Sequence, residues 1–106
     1  MAALNKAMET RRVQAAFKAE LKSGKYNNDL LGTIVKAQQE EMLARMYVVK
    51  FIESVPGIGK VKAAAIMSGI GIARNRRMQG LGNQQRQALV FELNVALRGS
   101  GEVQQP

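Results

Sequence analysis

Two short glycine turns set the layout of this chain. One is Pro56-Gly57-Ile58-Gly59-Lys60, the other Gly80-Leu81-Gly82-Asn83, and each leads at once into a run of helix-forming residues. Proline ends a preceding helix because the residue before it disfavours the helical region. The glycines permit positive φ and close approach of a partner to bare backbone. No alternating strand pattern competes anywhere, and nothing repeats at solenoid spacing. The expected fold class is therefore all-α. A chain of 106 residues supports one small domain and buries about 60–65% of its unfolded surface. With two tyrosines, three phenylalanines and no tryptophan, its core must rest on Leu, Ile, Val, Ala and Met.

Residues 2–22 lack Gly and Pro and are rich in Ala, Lys, Arg, Glu and Gln, which predicts one long helix stopped by Ser23-Gly24. Val13, Phe17 and Leu21 give it an apolar stripe, and Lys18 and Lys22 a charged one. Asn27 or Asn28 is the expected N-cap of a second helix, with Asp29 in its first turn. A third helix is expected from 39–41 to Glu53, a fourth from Gly59 to Ser68, and a fifth, capped by Asn83, reaching Leu97. Between the last two, Ile70 to Gly82 reads as a loop with a short helical turn at 73–77. The expected organisation is an N-terminal helix and break (1–26), a helical domain (27–97) and a flexible tail (98–106).

Charge is concentrated where the glycine turns lie. The whole chain carries a formal net charge of +8. Residues 54–91 hold Lys60, Lys62, Arg74, Arg76, Arg77 and Arg86 and no acidic residue. In the first turn, Ile58 can anchor into the core while free N–H groups around Gly59 to Val61 face outward with the helix dipole behind them. That is a phosphate seat, with Lys60 and Lys62 adding charge. A plain inter-helix turn, with glycines serving conformation only, is the competing account. A side chain at Gly59 is expected to damage turn geometry and backbone approach together. The second turn repeats the logic more weakly, because Asn83 can satisfy the helix end itself; Arg86 lies nearby. Between the turns, Arg74-Asn75-Arg76-Arg77 has the planar forks that suit phosphate, against the plainer reading of a solvated basic loop.

Other chemistries find little support. There is no cysteine and no histidine, which removes disulfides, thiolate metal sites and the commonest general base. No metal or cofactor is expected. The glycines do not fit a P-loop, and Glu40-Glu41 suits a helix start rather than acid–base work. No apolar run is long enough to span a bilayer. No catalytic set emerges.

The run Val55-Pro56-Gly57-Ile58-Gly59-Lys60-Val61-Lys62-Ala63, with Ile66-Met67, Ile72-Ala73, Arg76-Arg77, Gly80-Leu81-Gly82, Gln85-Arg86 and Ala88-Leu89, resembles the actinobacterial integration host factor family. The likeness is dense over 43–93. It implies a small, monomeric, nucleoid-associated protein with a long N-terminal helix followed by a helix-two-turn-helix domain. It further implies cytoplasmic, nucleoid-bound binding and bending of duplex DNA with little sequence preference, in chromosome compaction and recombination. The contacts it carries over are Pro56, Gly57, Gly59, Lys60 and Lys62 in the first turn and Arg74, Arg76 and Arg77 in the loop. Gln79 stands where the likeness implies a further basic residue.

The reading is thus of a non-enzymatic duplex-DNA binder holding phosphates through Pro56, Gly57, Gly59, Lys60, Lys62, Arg74, Arg76, Arg77 and Arg86. An RNA-binding or ribosome-associated protein is the alternative within nucleic-acid binding. A helical module for an acidic protein partner is the alternative outside it.

Overall fold

The computed structural model of the protein describes residues 2–102, with side chains from 6 to 98. Among the described residues six α-helices follow one another: α1 (Ala2–Lys22), α2 (Leu30–Gln39), α3 (Glu41–Ala44), α4 (Val48–Ser54), α5 (Lys60–Ile70) and α6 (Asn83–Glu102), with a 3₁₀ turn at Met78–Gly80. No strand forms among the described residues; Tyr47 and Arg77 share one isolated antiparallel bridge. The all-α expectation holds. Residues 103–106 of the expected tail lie outside the described residues, and α6 continues past Leu97.

One core unites the helices. Leu21 from α1, Ile34 from α2, Phe51 and Ile52 from α4, Met67 from α5 and Leu89 and Leu93 from α6 are all fully buried within it. The apolar stripe of α1 does what its four-residue spacing implies. Phe17 packs on Phe51 with ring centroids 6.1 Å apart and on Tyr26 at 5.8 Å, and Leu21 is buried below them. The C-terminal half of the N-terminal helix is thus packed into the core, which brings Lys22 toward the Pro56 turn.

Three local expectations are corrected. Asp29, not Asn27 or Asn28, caps α2, its carboxylate accepting from the Gly32 N–H at 3.0 Å. At α6, Asn83 is the first helical residue rather than the cap. Gly82 precedes it, its N–H donating to Gln85 Oε1 at 3.3 Å and its carbonyl accepting from the Arg86 N–H at 2.9 Å. That reach-back from the third helical residue is one half of a capping box.

The expected third helix is two helices, broken between Ala44 and Val48. The reason is competition for its backbone groups. The Met78 N–H donates to Met46 O at 2.8 Å, and the Val48 N–H donates to Arg76 O at 2.9 Å. A continuous helix would need that carbonyl for residue 50 and that N–H for residue 44. The 76–78 segment takes both. The basic loop is therefore hydrogen-bonded to the helical body at the start of α4, and is not a free solvated loop.

Candidate nucleic-acid interface

Each glycine of the first turn has a separate task. Gly57 has φ +81°, a conformation that L side chains rarely adopt. Gly59 has φ −95° and ψ −171°, extended backbone open to any residue, and a Cβ built there meets nothing within 4 Å. Gly59 therefore carries no conformational demand, contrary to the sequence-based expectation that it served turn and approach together. What a side chain at Gly59 would take is the open space in front of α5.

That space faces unsatisfied donors. Gly59 is the N-cap of α5 and brings no side-chain cap; its carbonyl accepts from the Ala63 N–H at 3.0 Å, while its flank carries no acidic residue in the first turn. The leading N–H groups of a helix have no intrahelical partner and sit at the positive end of its dipole. Ile58 is buried as an anchor, as its place between the glycines predicts, and Lys60, Val61 and Lys62 are exposed. Lys22 of α1 and Glu53 of α4 line the recess beside Pro56 to Gly59. Lys22 was missed as part of this surface, although the Lys18–Lys22 stripe was visible.

The start of α6 repeats the pattern. A Cβ at Gly82, like one at Gly59, would meet nothing within 4 Å. Asn83 turns its side-chain oxygen to Arg86 Nη2 (3.2 Å) rather than to the helix end. Its side chain therefore does not consume the donors there, against expectation. Gly80 is glycine for room rather than φ: a Cβ there would lie 2.7 Å from Arg76 Cδ. Arg76 lies across Gly80 and donates from Nη1 to its carbonyl at 2.8 Å.

The three loop arginines are in different states. Arg74 is exposed at the C-terminal end of α5, beside Val49, Met67 and Ile72. Arg76 is half-buried against Gly80. Arg77 stacks on Tyr47, its guanidinium carbon 4.4 Å from the ring centroid, and donates to Tyr47 Oη (3.0 Å) and Arg45 O (2.8 Å). Tyr47 clasps the loop in place, and its role carried no local signal in the sequence. The loop meets the start of α4 and the Pro56 turn follows its end. Seven residues of helix put them about 10 Å apart along its axis, roughly three base-pair rises of a duplex.

Arg86 faces inward. Its Nη1 donates to Gln38 Oε1 at 3.1 Å, and its Nε is buried without a partner. Gln38 in turn donates to the carbonyls of Met78 (2.7 Å) and Leu81 (3.0 Å). One glutamine on α2 thus holds both the 3₁₀ turn and the start of α6. Gln38→Leu is expected to leave two carbonyls and a guanidinium short of partners, a loss of about 2 kcal/mol. Thermal denaturation should show a midpoint lower by roughly 8–16 °C.

The basic residues of 54–91 form no ion pairs among the described residues. All four ion pairs among the described residues join side chains between positions 6 and 53: Lys6–Glu41, Lys25–Glu20, Arg45–Glu41 and Lys50–Glu53. None of Lys60, Lys62, Arg74, Arg76, Arg77 and Arg86 has a carboxylate partner among them. Two helix starts without side-chain caps on their N–H groups and five cations outside any ion pair, Lys60, Lys62, Arg74, Arg76 and Arg77, form a surface suited to a polyanion with regularly spaced charges, with Arg86 turned inward behind it.

Comparison with known proteins agrees in fold. A family model described as an S13-like H2TH domain matches residues 21–93. Over 95 residues the chain is 44% identical to the integration host factor of Mycobacterium tuberculosis (strain ATCC 25618 / H37Rv), covering 90% of this chain and 89% of that protein. It is 40% identical over 91 residues to the integration host factor of Streptomyces coelicolor (strain ATCC BAA-471 / A3(2) / M145), covering 86% and 83%. A solved structure of sIHF bound to an 8bp palindromic DNA matches with a TM-score of 0.78 at 37% identity, covering 84% of this chain and 98% of that one.

Proposed function

Because the chain belongs to the integration host factor family, with an S13-like H2TH domain at its centre, we propose that it is a DNA-binding, nucleoid-associated protein that acts by holding and bending duplex rather than by catalysis. The observation that carries this reading is the first turn: a helix start with no side-chain cap, behind a glycine at which a Cβ would meet nothing within 4 Å. Phosphate groups of the backbone sit against the N–H groups of Gly59 to Lys62 and, more weakly, against those opening α6. Lys60, Lys62, Arg74 and Arg76 neutralise neighbouring phosphates. Pro56 and Gly57 shape the turn, Arg77 fixes the loop, and Arg86 supports the second turn from within.

These contacts address phosphate rather than base edges, so they give position and affinity with little sequence preference. The protein acts as a monomer, with the nucleoid as its location; among the described residues, no helix is long and apolar enough to cross a membrane. Gel retardation on random duplex DNA in rising salt tests the reading. With about four to six phosphates neutralised, log K should fall against log salt with a slope of about −4 to −5. A flat response would discard the phosphate mechanism.

A further inference from the structure

Val61 is 86% exposed, more than any other large apolar side chain among the described residues. Helix geometry says where it points. Ala63 is fully buried and marks the side of α5 that faces the core. At about 100° per residue, Val61 lies about 200° from Ala63, outward, with Lys60 and Lys62 about 100° to either side. Helical Cα–Cβ bonds lean toward the N-terminus, so the isopropyl group leans over the open helix start. A β-branched side chain in a helix has one dominant rotamer, so its methyls are held there rather than free to fold away. The two lysines diverge from it, and Gly59 offers no side chain.

We infer that Val61 packs on the sugar next to the phosphate held at the start of α5, and that it selects deoxyribose over ribose. This rests on the reading of the first turn as a phosphate seat. Sugar carbons give methyl groups an apolar contact. A ribose adds a 2′-hydroxyl, the group by which proteins tell RNA from DNA. Against Val61 that hydroxyl loses water and meets no donor or acceptor side chain, which disfavours it.

The test uses the full chain, Val61→Thr and Lys60→Ala, with duplex DNA and duplex RNA of one sequence, by fluorescence anisotropy at several salt concentrations. Val61→Thr exchanges a methyl for a hydroxyl at an exposed site, so the thermal midpoint should stay unchanged. Its DNA affinity should fall about threefold, and the DNA-over-RNA ratio should narrow about fivefold, because an apolar contact discriminates against an added hydroxyl only modestly. Its salt slope should stay the same, since no counterion is involved. Lys60→Ala should instead weaken both duplexes, reduce the slope by about one, and preserve the ratio. A Val61→Thr ratio equal to that of the unaltered protein, with Lys60→Ala behaving as expected, overturns the sugar contact and leaves the phosphate seat standing. If Lys60→Ala changes neither affinity nor slope, the seat fails and the inference falls with it.

Discussion

Gly59→Asp is expected to weaken DNA binding about a hundredfold or more while leaving the fold as stable as before, or slightly more so. Its backbone is extended and its Cβ direction is open, so an aspartate fits without strain. At an N-cap, aspartate outranks glycine because its carboxylate accepts the N–H of the second or third helical residue and faces the positive end of the dipole. A gain of about 0.5 kcal/mol follows. The same carboxylate takes the donors offered to phosphate and sets a negative charge in their place. Each lost phosphate contact is worth about tenfold near 0.1 M salt, so losing the seat and adding repulsion should cost about a hundredfold or more. Gly57→Ala gives the opposite signature. Its φ of +81° makes a side chain cost about 1–2 kcal/mol. Differential scanning calorimetry beside a gel-shift titration separates the two glycines.

Replacing Lys60, Lys62 and Arg74 together by alanine is the second large effect. All three are exposed, and none has a carboxylate partner among the described residues. Surface changes of this kind usually stay within about 0.5 kcal/mol each, so the melting midpoint should barely move. The salt slope should shrink by about three, and affinity near 0.1 M salt should fall roughly 300–1,000-fold on every duplex sequence alike. Arg77→Ala should differ in kind. Arg77 stacks on Tyr47 and bonds Arg45 O, so its loss also costs stability, about 1 kcal/mol. A loss of affinity confined to one DNA sequence would contradict the phosphate-based account.

Much of this was legible in the chain because the helix breaks are written in short-range chemistry. Ser23-Gly24 and Pro56 mark ends that local backbone preference decides, the Gly80–Gly82 turn announces itself by its glycines, and the buried stripe of α1 follows from four-residue spacing. The break between α3 and α4 left no such mark. It is imposed by backbone bonds from residues 76 and 78, some thirty positions downstream, and no local pattern encodes them. The same holds for Gln38, whose partners lie on the far side of the chain, and for Tyr47 beneath Arg77. Charge revealed which cations belong to the basic half. It did not reveal that Arg86 would turn inward, because that depends on the glutamine it meets. The glycines show the finer limit: their number and spacing can be read along the chain, while only φ and neighbouring atoms divide them into turn-forming Gly57, open-sided Gly59 and Gly80, which makes room for Arg76.

An amide-resolved NMR titration of the ¹⁵N-labelled protein with a random duplex addresses the account at its source. The largest shifts should fall on the amides of Gly59, Lys60, Val61 and Lys62, with smaller ones at 82–85 and at Arg74 and Arg76. Amides of α2 around Thr33 and Lys36, which are not part of the proposed surface, should stay still. Saturating DNA that leaves the amides at the start of α5 unmoved, while shifting those of α1 and α2, would contradict it.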